Sequence, residues 1–306
     1  EETRNRVLEV AARLDYRPNR VARSLRAQSS KIIGLIISDI QNPFFTAVVR
    51  AVEDIAQAHE YFVLLCNTDE NREKEALYIE LMIAERVAGV IVSPAVSSSS
   101  YYQMLLDAGI AVVAIDRRLH NLTIDTVHVE NRHATAQVVS HLINQGHTRI
   151  GAVIGTSDIS TGHERQQGYL DALRARLLPA DPSLIRTGIP QIPIGYRLTQ
   201  ELLALPEPPT AIFTGNNLLT IGALRAIHEA GLAVPDDIAV AAFDEMDWMF
   251  VINPPLTVVA QPAYAMGEQA AKLLLQRIEE PERAVVEIEL APTVHIRQSS
   301  ARPVGR

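Results

Sequence analysis

From residue 32 onward, apolar residues fall along this chain in two alternating rhythms. Compact apolar runs, rich in Val and Ile and bounded by polar turns, occupy Ile32–Ser38, Tyr61–Asn67, Gly89–Ser93, Ala111–Asp116, Thr126–Val129, Arg149–Gly155, Thr210–Gly215 and Ile238–Asp244. Between them, Phe44–His59, Glu73–Arg86, Ala134–Gln145, Glu164–Arg176 and Leu218–Ala230 carry apolar residues at helical spacing. Nearly continuous apolar strands separated by helices predict parallel sheets covered on both faces. The handedness of βαβ units makes this an α/β, doubly wound architecture. There are more strands than one such sheet holds, so the pattern predicts two lobes.

Punctuation supports these elements. Gly146 and Gly231 follow helical runs as C-terminal stops, and Pro43 and Pro262 suit first-turn positions. Ala95–Ser100 and the Pro-rich Leu205–Thr210 look like surface connections, and the chain ends in a polar stretch, Gln298–Arg306. No repeat with a clear period is visible.

Composition narrows the class. A 306-residue chain with 47% hydrophobic and 21% charged residues is globular, and no apolar run approaches the roughly 18 residues that span a bilayer. Glu1-Glu2-Thr3-Arg4 opens a polar stretch with no signal-peptide pattern, so a cytoplasmic protein is expected, with no membrane partner. The one cysteine, Cys66, lies in an apolar strand and is expected in the core. Charge is uneven. Residues 1–31 carry +4 within a chain whose total is −8, which leaves −12 on the remainder. A basic end on an acidic body confines contact with nucleic acid to that end.

Catalytic patterns are missing. His141 and His147 lack a carboxylate or cysteine at metal-ligand spacing. Gly151-Ala-Val-Ile-Gly155 sits inside a strand, and no GxGxxG turn, Walker lysine or serine elbow occurs. Asp69-Glu70 and Glu279-Glu280 are expected to be solvated charge. No enzyme, cofactor or metal is expected.

Binding chemistry instead collects at strand ends, where open α/β sheets hold ligands. These positions are Asp39–Phe45, Ser93, Asp116-Arg117, Thr156–Glu164, Asn216-Asn217 and Asp244-Glu245, with Phe44, Phe45 and Trp248 as flanking aromatics. Carboxylates and amides hydrogen-bond hydroxyls in both directions, and aromatic faces cover the apolar faces of sugar rings. The set suits a polyhydroxylated ligand. Bland alternatives stand beside it: Asp116 and Asp244 as caps, Arg165 as a surface charge, Trp248 as a packing residue.

One stretch joins both themes. Tyr16–Ile36 reads YRPNRVARSLRAQSSKIIGLI, a short basic helix running into an apolar strand, followed by Asn42-Pro43-Phe44-Phe45. With the Arg165-Gln-Gln-Gly-Tyr169 and Ala242-Phe-Asp-Glu245 segments and the closing Val294–Ser300, the chain resembles the LacI/GalR family of sugar-responsive transcription regulators along its whole length. The resemblance implies two lobes of periplasmic-binding-protein type joined by three crossings. Residues 32–130 with 262–290 would form the N-terminal lobe, and 131–261 with 291–306 the C-terminal lobe. Residues 1–31 would be the remnant of a DNA-binding domain and its hinge helix. The first helix, Glu2–Leu14, would be the third of a helix-turn-helix domain, and these 306 residues alone are expected to bind operator weakly.

The resemblance also implies roles. Arg17, Asn19, Arg20, Arg23 and Arg26 would face operator DNA, with Leu25 as a minor-groove wedge. Asp244 would grip a sugar or sugar-derivative effector and Arg165 would touch it, with Phe44, Phe45, Asp116, Arg117, Asn216, Asn217 and Trp248 completing the site. Asn216-Asn217 stands where Asn-Asp is common, and a neutral Asn217 admits a sugar acid. A homodimer is expected through helices Phe44–His59 and Glu73–Arg86 of the first lobe. The competing reading is a sugar-binding protein of the periplasmic-receptor type, without DNA function.

Overall fold

Ile32–Ile37 (β1) has only apolar residues and one glycine, so it can satisfy its backbone without exposing side chains only inside a sheet. In the computed structural model, which describes residues 2–13, 30–96, 100–119 and 121–301, it lies between Phe62–Asn67 (β2) and Gly89–Val92 (β3), parallel to both. Ala111–Ile115 (β4), Asp125–Val129 (β5) and Glu287–Leu290 (β11) extend this sheet in the order β11-β5-β4-β3-β1-β2. A second six-stranded sheet runs β12-β10-β9-β8-β6-β7. Its strands are Ile150–Gly155 (β6), Ile185–Gly188 (β7), Ala211–Thr214 (β8), Ala239–Phe243 (β9), Thr257–Ala260 (β10) and Thr293–His295 (β12). Every pairing is parallel except β10 with β12.

Each sheet is covered on both faces, which explains its unbroken apolar runs. In the first lobe, Val48, Val52 and Leu274 fill one face while Met82, Tyr102 and Leu105 fill the other. In the second, Val138, Leu142 and Tyr169 oppose Leu198, Leu219 and Ile227. The covering helices are Pro43–Ala58 (α2), Arg72–Ala84 (α3), Tyr101–Asp107 (α4), Asn131–Asn144 (α5), Ser160–Ala175 (α6), Ile192–Leu203 (α7), Asn217–Glu229 (α8) and Ala263–Glu279 (α9). The chain changes sheets between β5 and α5, between β10 and α9, and between β11 and β12.

Local expectations met the structure unevenly. Pro43 occupies the first turn of α2, while Pro262 is instead the cap residue before α9. Gly146 and Gly231 adopt φ of +92° and +73°, the left-handed stop that a side chain disfavours. The first helix, α1 (Glu2–Arg13), exposes Arg6, Glu9 and Arg13. The hinge and its candidate DNA contacts Arg17, Asn19, Arg20, Arg23, Leu25 and Arg26 lie outside the described residues. No helix among the described residues is long and apolar enough to cross a membrane.

Candidate functional site

Two aspartates face one cavity from opposite lobes, and the same backbone device presents each. Asp116 follows β4 and Asp244 follows β9, with φ of +68° and +74°. Each amide is held by the neighbouring strand: Asp116 N–H donates to the Val127 carbonyl at 2.8 Å, and Asp244 N–H to that of Val259 at 2.9 Å. Aspartate is among the few residues that tolerate this left-handed conformation. Its repetition in both lobes turns two carboxylates off the ends of central strands into the space between the sheets.

The Asp244 carboxylate is tied on both sides. Oδ2 accepts the Asn217 backbone N–H at 3.1 Å, and Oδ1 accepts Gln261 Nε2 at 2.5 Å. Asn217 opens α8, so Asp244 sits at a helix N-terminus, a favourable place for a carboxylate. Asp116 is less well compensated. Burial pushes its carboxyl up to about 6, against the pull of Arg117 and Arg165; Asp244 and Glu70 push it further up.

Two buried arginines balance these acids, and the site's own groups hold both. Arg117 donates to Glu70 through Nη1 at 2.7 Å and Nη2 at 2.5 Å, and Nη1 also reaches the Pro94 carbonyl at 2.9 Å. Its Nε lies 3.5 Å from Asp116. Glu70 and its neighbouring charges hold the guanidinium of Arg117 in its charged form against burial. Arg165 donates Nε to Asn131 Oδ1 at 2.9 Å and Nη1 to the Gly215 carbonyl at 2.6 Å, and it stacks 3.7 Å from the Phe243 ring centre. Burial lowers its pKa, although Asp244 and Asp116 work against that.

Asn42 of the first lobe, on the cavity wall, and Asn217 of the second, behind it, join the two lobes. Asn42 caps α2 by accepting Phe44 N–H at 3.0 Å, and the same oxygen accepts Asn217 Nδ2 at 2.9 Å. The cap places Phe44 and Phe45 edge-to-face at 5.0 Å, both buried against the cavity. A second inter-lobe contact lies beside it: Arg118 N–H donates to Ser160 Oγ at 2.9 Å, and its guanidinium pairs with Glu164 of α6. In this conformation the cavity is narrow, with a volume of about 30 Å³.

Of the residues singled out from sequence, Phe44, Phe45, Asp116, Arg117, Arg165, Asn216 and Asp244 line this cavity. Asn217 does not; its side chain is fully buried and bonded to Asn42. Trp248 does not either, because it packs half-buried on the apolar cluster holding Met249 and Leu256. Asp39 and Thr161, within the strand-end segments, also line it, as do Glu70, Pro190 and Gln261, which lay outside them. Glu70 corrects the expectation of solvated charge: its side chain is 8% exposed. It lies three residues past β2, so the strand-end rule would have reached it only if extended to that strand; Gln261 follows β10, a strand not expected from the sequence. Arg117 Nε and Gln261 Oε1 are buried without a hydrogen-bond partner among the described residues. Such atoms on a cavity wall are places for ligand hydroxyls. No metal-holding group of His, Cys, Asp or Glu occurs among the described residues.

Comparison with known proteins gives a consistent result. The family model for periplasmic binding proteins and the sugar-binding domain of the LacI family matches residues 30–296. The HTH-type transcriptional repressor CytR of Escherichia coli K12 is 34% identical over 284 residues, covering 90% of this chain and 81% of its own length. Catabolite control protein A of Priestia megaterium is 32% identical over 299 residues, 97% of this chain and 90% of that protein. A LacI family transcriptional regulator from Enterococcus faecium, solved with bound ribose, superposes with a TM-score of 0.80 at 29% identity, covering 90% of this chain and all of that one.

Proposed function

This chain belongs to the LacI family of transcription regulators, and from that premise we propose that it is a DNA-binding repressor whose effector is a monosaccharide held between its lobes. One observation carries the effector reading: Asp116 and Asp244 converge from two sheets on a cavity walled by Phe44, Phe45 and Gln261. Carboxylate pairs bind vicinal hydroxyls, and aromatic rings cover the apolar face of a pyranose or furanose. Ribose is the first ligand to try, since a relative holds it. On this reading residues 32–130 with 262–290 form the lobe that carries the DNA-binding end, and 131–261 with 291–306 the lobe that closes on the sugar.

Operator contact falls to the basic segment with Arg17, Asn19, Arg20, Arg23, Leu25 and Arg26, and a pair of such segments requires a homodimer. The exposed edge of the first lobe supports one. β2 is its outermost strand and leaves Phe62 and Leu65 exposed, and α3 beside it exposes Leu77 and Leu81. A cytoplasmic regulator follows from this role. The experiment is an operator-binding titration of the protein bearing its complete DNA-binding domain, with and without ribose and other neutral aldoses. Coupling should change operator affinity by roughly fivefold or more. An operator affinity indifferent to every sugar that binds would sink the regulatory reading.

A further inference from the structure

The charge of the cleft points to a narrower ligand class, resting on the sugar reading above. Four carboxylates line the cavity, Asp39, Glu70, Asp116 and Asp244, against two guanidinium groups, Arg117 and Arg165. An anionic sugar would need one of those arginines as its partner. Neither presents an open two-pronged fork. Both terminal nitrogens of Arg117 are bound by Glu70 in a two-pronged pair whose members are each less than a tenth exposed. Arg165 commits Nε to Asn131 and Nη1 to the Gly215 carbonyl beside the Phe243 ring, so only Nη2 is left uncommitted among the described residues, a single prong.

Glu70 is itself built into place. Its φ is +58°, and its N–H donates to the Ser38 carbonyl at 3.0 Å, so the turn after β2 aims the carboxylate inward. Its partner is anchored independently by Pro94. A planar pair of this kind is the strongest geometry a carboxylate can offer an arginine. An incoming phosphate or carboxylate would have to displace it while facing the surplus negative charge, at short range and away from water.

We infer that Glu70 sets the charge class of the effector: by holding Arg117, it makes the cleft a site for neutral hydroxylated monosaccharides and excludes sugar acids and sugar phosphates. Neutral hydroxyls have what they need in the same walls. The carboxylates of Asp116 and Asp244 accept, Gln261 Oε1 accepts, and Arg117 Nε donates, with no charge to compensate. The alternative signal for a sugar acid, the neutral Asn217, carries no weight here because its side chain lies behind the cavity and is bonded to Asn42.

The test is calorimetric titration of the 306-residue protein with ribose, other neutral aldoses, ribonate and ribose 5-phosphate, repeated on Glu70→Gln. Wild type should bind a neutral aldose at least a hundredfold more tightly than its acid or phosphate. Glu70→Gln, which keeps an acceptor for Arg117 but removes the charge, should narrow that ratio tenfold or more. Asp39→Asn provides a second variant if the first folds poorly, since an amide there still accepts the Gln41 N–H; it should narrow the ratio to a smaller extent. An acid or phosphate that binds wild type within threefold of the aldose overturns the inference and leaves the sugar cleft standing. A ratio unchanged in both variants overturns the role of Glu70. If no neutral aldose binds wild type, the sugar reading itself fails and takes the inference with it.

Discussion

At the scale of single residues, stability is given up along the cleft. Asp116 and Asp244 hold left-handed backbone, and Asp116 is a buried carboxylate with incomplete compensation. Its displacement from 3.8 to about 6 corresponds to roughly 3 kcal/mol. The sign follows from proton linkage. The folded form holds this proton where the unfolded chain has lost it, so the contribution is full below about pH 3.8 and lost as pH rises through about 6. Thermal midpoints of wild type should therefore contain a component that falls between those pH values. Asp116→Asn should lack that component, and a variant with the same pH profile as wild type would contradict the account. The strand-end rule made Asp116 and Asp244 legible from sequence because a residue after a buried strand has nowhere else to point, while Arg165, inside α6, was legible only through the family resemblance. It could not foresee that Glu70 would be drawn out of solvent by Arg117, because that pairing joins residues far apart in the chain.

Elements divide by how much apolar surface they carry. β1, β4 and β9 are central and buried on both faces, so their runs stand out in the sequence. β7 (Ile-Arg-Thr-Gly) and β11 (Glu-Ile-Glu-Leu) sit at or near sheet edges and are half-exposed, so their polarity hides them. α7 was missed as well, since Pro193 and Gly195 resemble a connector. Gly195 has a packing purpose: α7 crosses α8 so closely that a Cβ on Gly195 would stand 2.5 Å from the Leu219 carbonyl oxygen. On the facing helix, a Cβ on Gly222 would stand 2.3 Å from that of Ile192. Gly222→Ala should destabilise by about 1–3 kcal/mol through forced separation of the helices. A thermal midpoint equal to or above that of wild type would show that the helices can part at no cost.

For the whole molecule, the issue is what holds the lobes together and what parts them. Asn42 with Asn217, and Arg118 with Ser160 and Glu164, bridge the lobes beside the cavity. Ligand must enter an open form and be enclosed by return to a closed one, so contacts that touch no ligand still set its apparent affinity. Arg118→Ala should weaken sugar binding several-fold and raise the radius of gyration measured by small-angle scattering. An unchanged radius with unchanged affinity would remove these contacts from the closing mechanism. The two-lobe architecture was legible in the number of buried strands; that the described conformation is closed was not, since no sequence pattern encodes the separation of lobes.

Sugar binding in the cleft through Asp244 is the claim on which the rest depends. The most direct measurement is isothermal titration of neutral aldoses, ribose first, into wild type and Asp244→Ala. Wild type should give saturable binding at one site per chain. The variant loses a carboxylate whose charge-assisted hydrogen bonds are worth roughly 1.5–3 kcal/mol each, so its affinity should fall at least tenfold while it still unfolds cooperatively. Equal affinity in the two proteins would contradict the account, because the sugar would then be bound somewhere other than between Asp116 and Asp244.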